Sequence, residues 1–279
     1  MTTLQLQETI ERLAKSEPID REACRDAVAQ LRQALELGSV RAAQPTNEGT
    51  WQVNPWVKQG ILLGFKVGDI VAMEAAGPME FYDKDTWPVR RLGDLARFRT
   101  VPGGTSVRAG SYLGSGVTIM PPAYVNVGAW VGDNTMIDSH ALVGSCAQVG
   151  SNVHLSAAAQ IGGVLEPIGA MPVIIEDDVM VGGGTGVYEG TRVCARAVLA
   201  AGVILTRSHV VYDLVRECTH RAEPDGVLTI PSGAVVVPGS RPAKGAFAQD
   251  NGLTIATPVI VKYRDARTDA ATALEEALR

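Results

Sequence analysis

The sequence predicts a mainly β fold: a parallel coil of hexapeptide repeats between a helical N-terminal domain and a small C-terminal strand/helix cap. Three observations predict it. An aliphatic residue stands at every sixth position from Val107 to Ile161 and again from Ile175 to Leu205. Thirty of the 279 residues are glycine, where average usage gives about 20. The flanks carry helix and strand patterning without that period. Domains are expected at 1–100, 101–240 and 241–279.

From the N-terminus, Asp20 is placed to cap a helix in which Ala23, Ala27, Leu31 and Leu35 recur every fourth residue, with Gly38 at its stop. The run WQVNPWVKQGILLGFKV (51–67) is a buried segment, and Trp51, Trp56 and Trp87 are expected in a core or interface because aromatic rings bury large areas.

The hexads begin at Val107. Ten successive aliphatics, Val107, Leu113, Ile119, Val125, Val131, Ile137, Val143, Val149, Leu155 and Ile161, have chance odds on the order of one in a million if about a quarter of positions are Ile, Leu or Val. Four residues after each stands a second small or apolar residue, as at Ala123, Ala129, Ala141 and Ala147. Neither a helix (3.6) nor a sustained strand (2.0) has this period. Short strands joined by tight turns do, and three of them close a triangular coil of about 18 residues that buries the aliphatic column. Ile161 and Ile175 are separated by more than one hexad, so 162–174 is a loop thrown out from a corner, a common place for function on a rigid solenoid. LTIPSGAVVVPGS reads as a last coil, TPVIVKYRD as a strand and DAATALEEALR as a terminal helix, closing an otherwise open stack of edges.

Composition excludes several classes. A net charge of −5 with 5% aromatic residues lacks the basic footprint and stacking platforms of a nucleic-acid binder. No apolar run reaches 18 residues, so no membrane-spanning helix is expected. The opening MTTLQLQETIERLAK carries acids and no export signal, so a cytoplasmic location is expected. Cys24, Cys146, Cys194 and Cys218 stand far apart and read as reduced, mostly buried thiols. No His or Cys pair has ligand spacing, so no metal is expected. VGGGTGVYEGT is followed by no G-K-[ST] and is not a phosphate loop.

Longer strings narrow the reading. MPPAYVNVGAWVGDNTMIDSHALVGSCAQVGSNVHLSAAAQIGGVLEP, with IIEDDVMVGG, VYEGT, PSGAVVVPG and TPVIVKYRDART, closely resembles the 2,3,4,5-tetrahydropyridine-2,6-dicarboxylate N-succinyltransferase family. The resemblance covers most of the chain and implies a left-handed parallel β-helix, a homotrimer with sites between subunits, and succinyl transfer from succinyl-CoA in lysine and diaminopimelate biosynthesis. It places two acids at the acceptor site, matching Asp138 in the M-I-D string and Glu189 in the V-Y-E-G string. Asp138 is then the base or amine-orienting group, with Glu189 catalytic beside it, since an ammonium must lose a proton before it attacks. Arg99 in FRTVP matches the family's arginine for the dicarboxylate acceptor, where a guanidinium fork suits a carboxylate. Gly163, Ala201, Gly202 and Lys244 stand where the family grips coenzyme A.

Hexad counting adds a constraint of its own. If the 162–174 loop replaces no wall, Asp138 and Glu189 lie two coils and one face apart, roughly 11 Å along the axis at about 4.8 Å per coil. A threefold ring brings them together across a contact between unlike walls. Two departures bear on the donor. Gly184 stands where many members carry arginine, and LSAAAQ replaces glycines. An acetyl-CoA user with the same acceptor is therefore one alternative, and a non-catalytic repeat scaffold another. His140, His154 and His209 are weighed as bases, and His140 and His154 read instead as turn or interface residues.

Overall fold

The computed structural model describes residues 1–73, 80–93 and 97–265; the expected terminal helix, DAATALEEALR, lies outside them. Among the described residues the protein is mainly β with few helices.

Three helices open the chain: α1 (Thr3–Leu13), α2 (Arg21–Glu36) and α3 (Pro55–Val67). Thr2 and Gln5 close a capping box on α1, and the Asp20 carboxylate accepts the Ala23 N–H at 3.0 Å to start α2. Gly38, at φ +74°, follows the end of α2 as expected. The apolar faces of the three helices share one core with Trp56, Trp87, Val127 and Cys146. Val127 and Cys146 belong to the repeat region, so the helical bundle is docked on the coil. Close packing is possible because α3 carries two glycines. A Cβ at Gly60 would lie 2.4 Å from Leu31 Cδ2, and one at Gly64 would lie 2.5 Å from Trp87 Nε1. A hairpin, Ile70–Met73 with Phe81–Lys84, follows α3, an element the sequence did not announce.

The repeats form three parallel walls. Wall one stacks strands 106–107, 124–125, 142–143, 160–161, 186–187 and 204–205. Wall two stacks 112–113, 130–131, 148–149, 174–175, 191–193 and 228–230. Wall three stacks 99–100, 118–119, 136–137, 154–155, 180–181, 198–199 and 234–242. The second residue of each two-residue strand from 107 to 205 is one of the predicted aliphatics, and these side chains line one buried column. Partners within a wall lie one coil apart, as in Tyr112↔Trp130↔Gln148. The excursion after Ile161 leaves from wall one, and the chain re-enters at Ile174 on wall two opposite Gln148. It therefore replaces no wall.

Wall three already includes Arg99 and Thr100, paired with Thr118 and Ile119. At the other end it stops being parallel: 234–242 turns back as a long antiparallel ribbon with 254–263, which also pairs with 211–213.

Candidate active site

The corners set what each candidate side chain does. Asp138 is the first residue after the wall-three strand 136–137. Its N–H bonds the Leu155 carbonyl at 2.9 Å, and its Oδ1 accepts the Ser139 N–H at 2.7 Å. One carboxylate oxygen is thus used to hold the turn in a half-buried position. Arg99 lies exposed on the same wall, its partner Thr118 being in turn the partner of Met136. Ala201 and Gly202 occupy the same edge of the coil further along, after strand 198–199, and both are exposed. Gly202 has φ +74°.

Glu189 stands on another edge. It follows the wall-one strand 186–187, is exposed, and its carbonyl accepts the Arg207 N–H at 3.3 Å. Gly163 shares this edge one coil earlier, after strand 160–161. A Cβ there would meet the Ser145 backbone nitrogen at 2.6 Å, so the loop backbone passes directly against the coil above. Lys244 is exposed in the connection between the two strands of the terminal ribbon. One chain therefore brings Asp138, Ala201 and Gly202 to one edge, and Glu189 and Gly163 to a second.

Of the histidines, His140 stands at a turn as the sequence reading has it. His140 has φ +63° at a corner, and His209 accepts the Thr206 N–H at 3.1 Å through Nδ1. His154 faces outward on wall three between Met136 and Met180. Gly184, at φ +64° and exposed, has open space where a side chain would start.

Sequence reasoning missed two features. Lys58 of α3 is wholly buried and donates to the Ala170 carbonyl at 2.6 Å, tying the 162–174 excursion to the helical domain. Burial holds its ammonium below the ordinary lysine range. The second is a cleft of about 460 Å³ between the 41–51 segment and wall two. There Arg41 lies 3.9 Å over the Trp130 ring, which is stacked on Tyr112, and Arg41 Nε donates to Gln148 Oε1 at 2.9 Å. Burial lowers the Arg41 guanidinium to about 10. Trp51 Nε1 bonds Glu176 across the same cleft, and the Arg192 fork bonds Glu176 along wall two. Trp51 is accordingly an interface residue, while Trp56 and Trp87 are core. None of the candidate site residues from the sequence lines this cleft, which lies between the segment and the wall. No local spacing in the sequence signals either feature, because Lys58 and Ala170, Arg41 and Gln148, and Trp51 and Glu176 each lie more than a hundred positions apart.

The coil and its helical lead-in define a hexapeptide-repeat protein of the acyltransferase kind. Residues 172–207 match the family profile described as the hexapeptide repeat of succinyl-transferase. Residues 5–67 match the one described as the tetrahydrodipicolinate N-succinyltransferase N-terminal region. A 2,3,4,5-tetrahydropyridine-2,6-dicarboxylate N-succinyltransferase of Bordetella petrii is 43% identical over 289 aligned positions, covering 99% of each chain. The protein of the same description from Ralstonia nicotianae is 43% identical over 259 positions, covering 91% of this chain and 89% of its own. The chain belongs to the tetrahydrodipicolinate N-succinyltransferase family.

Proposed function

We propose that this chain is a left-handed β-helical subunit of a homotrimer that transfers the succinyl group of succinyl-CoA to the amine of ring-opened tetrahydrodipicolinate, a step of lysine and diaminopimelate biosynthesis in the cytoplasm. Likeness along 99% of the chain to a named succinyltransferase supports the reaction. The observation that carries the assembly is the separation of Asp138 and Glu189 on different edges of one coil. In a threefold ring the Asp138 edge of one subunit faces the Glu189 edge of the next.

The chemistry follows from the residues. Water adds to the cyclic imine and opens it, leaving an amine that attacks only when neutral. Asp138, held by its bond from Ser139 N–H, accepts the amine proton or orients the amine, and Glu189 of the neighbouring edge acts beside it. The N–C bond forms at the thioester carbonyl, the oxyanion is met by backbone N–H groups at the corners, and the C–S bond breaks to release the coenzyme A thiolate, which takes up a proton. Arg99 receives an acceptor carboxylate. Gly163, Ala201 and Gly202 leave backbone exposed along the path of the pantetheine arm, and Lys244 serves the phosphates at its end. The three segments act as a helical platform (1–100), the acyltransferase coil (101–240) and a cap (241–279).

Gly184 favours a second reading. With no side chain there, Gly184 supplies no cation to succinate's free carboxylate, and acetyl-CoA would then be the donor to the same acceptor. Turnover with each thioester, followed by thiol release and by the mass of the product, separates the readings. A succinylated product at the higher kcat/KM supports the first, an acetylated one the second, and no release with either donor overturns both.

A further inference from the structure

The strand pair 211–213 and 218–220 brings three unlike metal-ligating groups together, after the corners that carry Asp138 and Glu189. Asp213 and Cys218 are direct partners across the antiparallel pair, and His220 lies two residues beyond Cys218, on the same face. The donor atoms of Asp213, Cys218 and His220 all lie within 4.8 Å of one another. His220 Nε2 is 3.3 Å from Asp213 Oδ2 and 3.9 Å from Cys218 Sγ.

A catalytic Cys–His–Asp relay is excluded by the geometry. Such a relay uses one imidazole nitrogen toward the thiol and the other toward the carboxylate. Here both contacts converge on the same nitrogen, Nε2. Convergence on one point is what a shared ion requires. Tetrahedral zinc with bond lengths near 2.0–2.1 Å to N or O and 2.3 Å to S sets donor separations of roughly 3.3 Å between N and O and 3.5 Å between N and S. The first is met as the structure stands. The second needs a small movement of Cys218, which is exposed.

The surroundings complete the picture. The Asp213 side chain is fully buried, and His220 is 22% exposed. Asp213 Oδ1 accepts the N–H groups of Val215 and Arg216, both at 3.0 Å, and Oδ2 accepts the Tyr263 hydroxyl at 2.6 Å. These donors fix the carboxylate in place, while the Arg216 guanidinium is held over the Tyr263 ring at 4.2 Å. Outer partners of this kind orient metal ligands.

We propose that Asp213, Cys218 and His220 form a three-ligand site for a thiophilic divalent cation, zinc above all, with a solvent molecule in the fourth position on the Cys218 side. Binding replaces the thiol proton: the Cys218 S–H bond breaks, the proton passes to solvent and the sulfur bonds the ion. The ion pins the 211–220 hairpin beside strand 254–263, which contributes Tyr263.

Cobalt(II) titrated into the metal-free full-length chain tests this. Saturable binding of one ion per chain is expected, with the intense visible bands of a tetrahedral site and a near-ultraviolet thiolate-to-cobalt band, both displaced by zinc. Cys218→Ser is expected to lose the thiolate band and weaken affinity by tenfold or more, while Cys194→Ser keeps both. Wild-type cobalt binding that never saturates, or an unchanged thiolate band in Cys218→Ser, overturns the proposal.

Discussion

Asp138 and Glu189 stand seven repeat strands apart, the first after wall three and the second after wall one, with the intervening excursion adding no wall. On the proposed threefold ring, each acid alone is half of a site. Asp138→Asn and Glu189→Gln are each expected to lower kcat by about 100-fold or more, the usual cost of losing a general acid or base. Unfolded together in equal amounts and refolded as mixed rings, the two variants should recover about a quarter of wild-type activity, because that share of contacts joins an intact Asp138 to an intact Glu189. Activity of the mixture no higher than that of the separate variants would show that one chain holds the whole site.

Gly64 sets local propensity against packing. Alanine is favoured over glycine inside a helix by about 1 kcal/mol. The new Cβ would lie 2.5 Å from the indole nitrogen of Trp87, which is fully buried and donates to the Ile61 carbonyl at 3.2 Å. Forcing that ring aside costs about 1–3 kcal/mol, plus about 1 kcal/mol for its hydrogen bond. Gly64→Ala is therefore expected to destabilise by about 2 kcal/mol in denaturant unfolding; a rise in midpoint would contradict the packing account.

Ala158 has φ +59° at an exposed corner, where the following coils carry glycine at the matching turn, Gly184 and Gly202. Left-handed backbone costs a non-glycine residue about 1–2 kcal/mol, and glycine gives back about 0.5–1 kcal/mol through its freer unfolded chain. Ala158→Gly should stabilise by about 0.5–1 kcal/mol, read as an increased urea midpoint at unchanged slope.

The pair Asp213 and Tyr263 gives stability a pH dependence at both extremes. Burial pushes the Asp213 carboxyl up, but bonds from Tyr263, Arg216, His220 and Val215 together outweigh it and bring it down to about 2. A depressed carboxyl stabilises fully above its unfolded value, and that contribution is lost as pH falls from about 4 through 2. Tyr263 is raised to about 12 by burial and by the same bond. Its contribution is full below its unfolded value and is lost as pH climbs from about 10 through 12. Metal-free Tyr263→Phe should flatten the alkaline limb and shrink the acid one; equal limbs in variant and wild type would refute the coupling.

The coil was legible in the sequence because its rule is local. Every sixth residue must point inward, and Val107 through Leu205 therefore mark their strands without reference to anything distant. The turn residues repeat the same message, with left-handed backbone at Asn134, His140, Cys146 and Asn152. The corner identities of Asp138 and Glu189 follow from counting. What the sequence hid is what depends on distant partners: Lys58 reaching Ala170 and Arg41 lying on Trp130. The Asp213 cluster stayed hidden for a related reason, since Cys218 and His220 gain their third group only from the facing strand.

The terminal ribbon has a consequence for growth. A stack of parallel rungs presents, at its last rung, the same unpaired backbone on which each earlier rung was laid, and another molecule's first rung would fit it. Folding 254–263 back against 234–242 reverses the strand direction and puts Pro258 into the paired edge. Shortening the chain before Thr254 would leave a naked template, and end-to-end fibres, visible by electron microscopy, are the expected product.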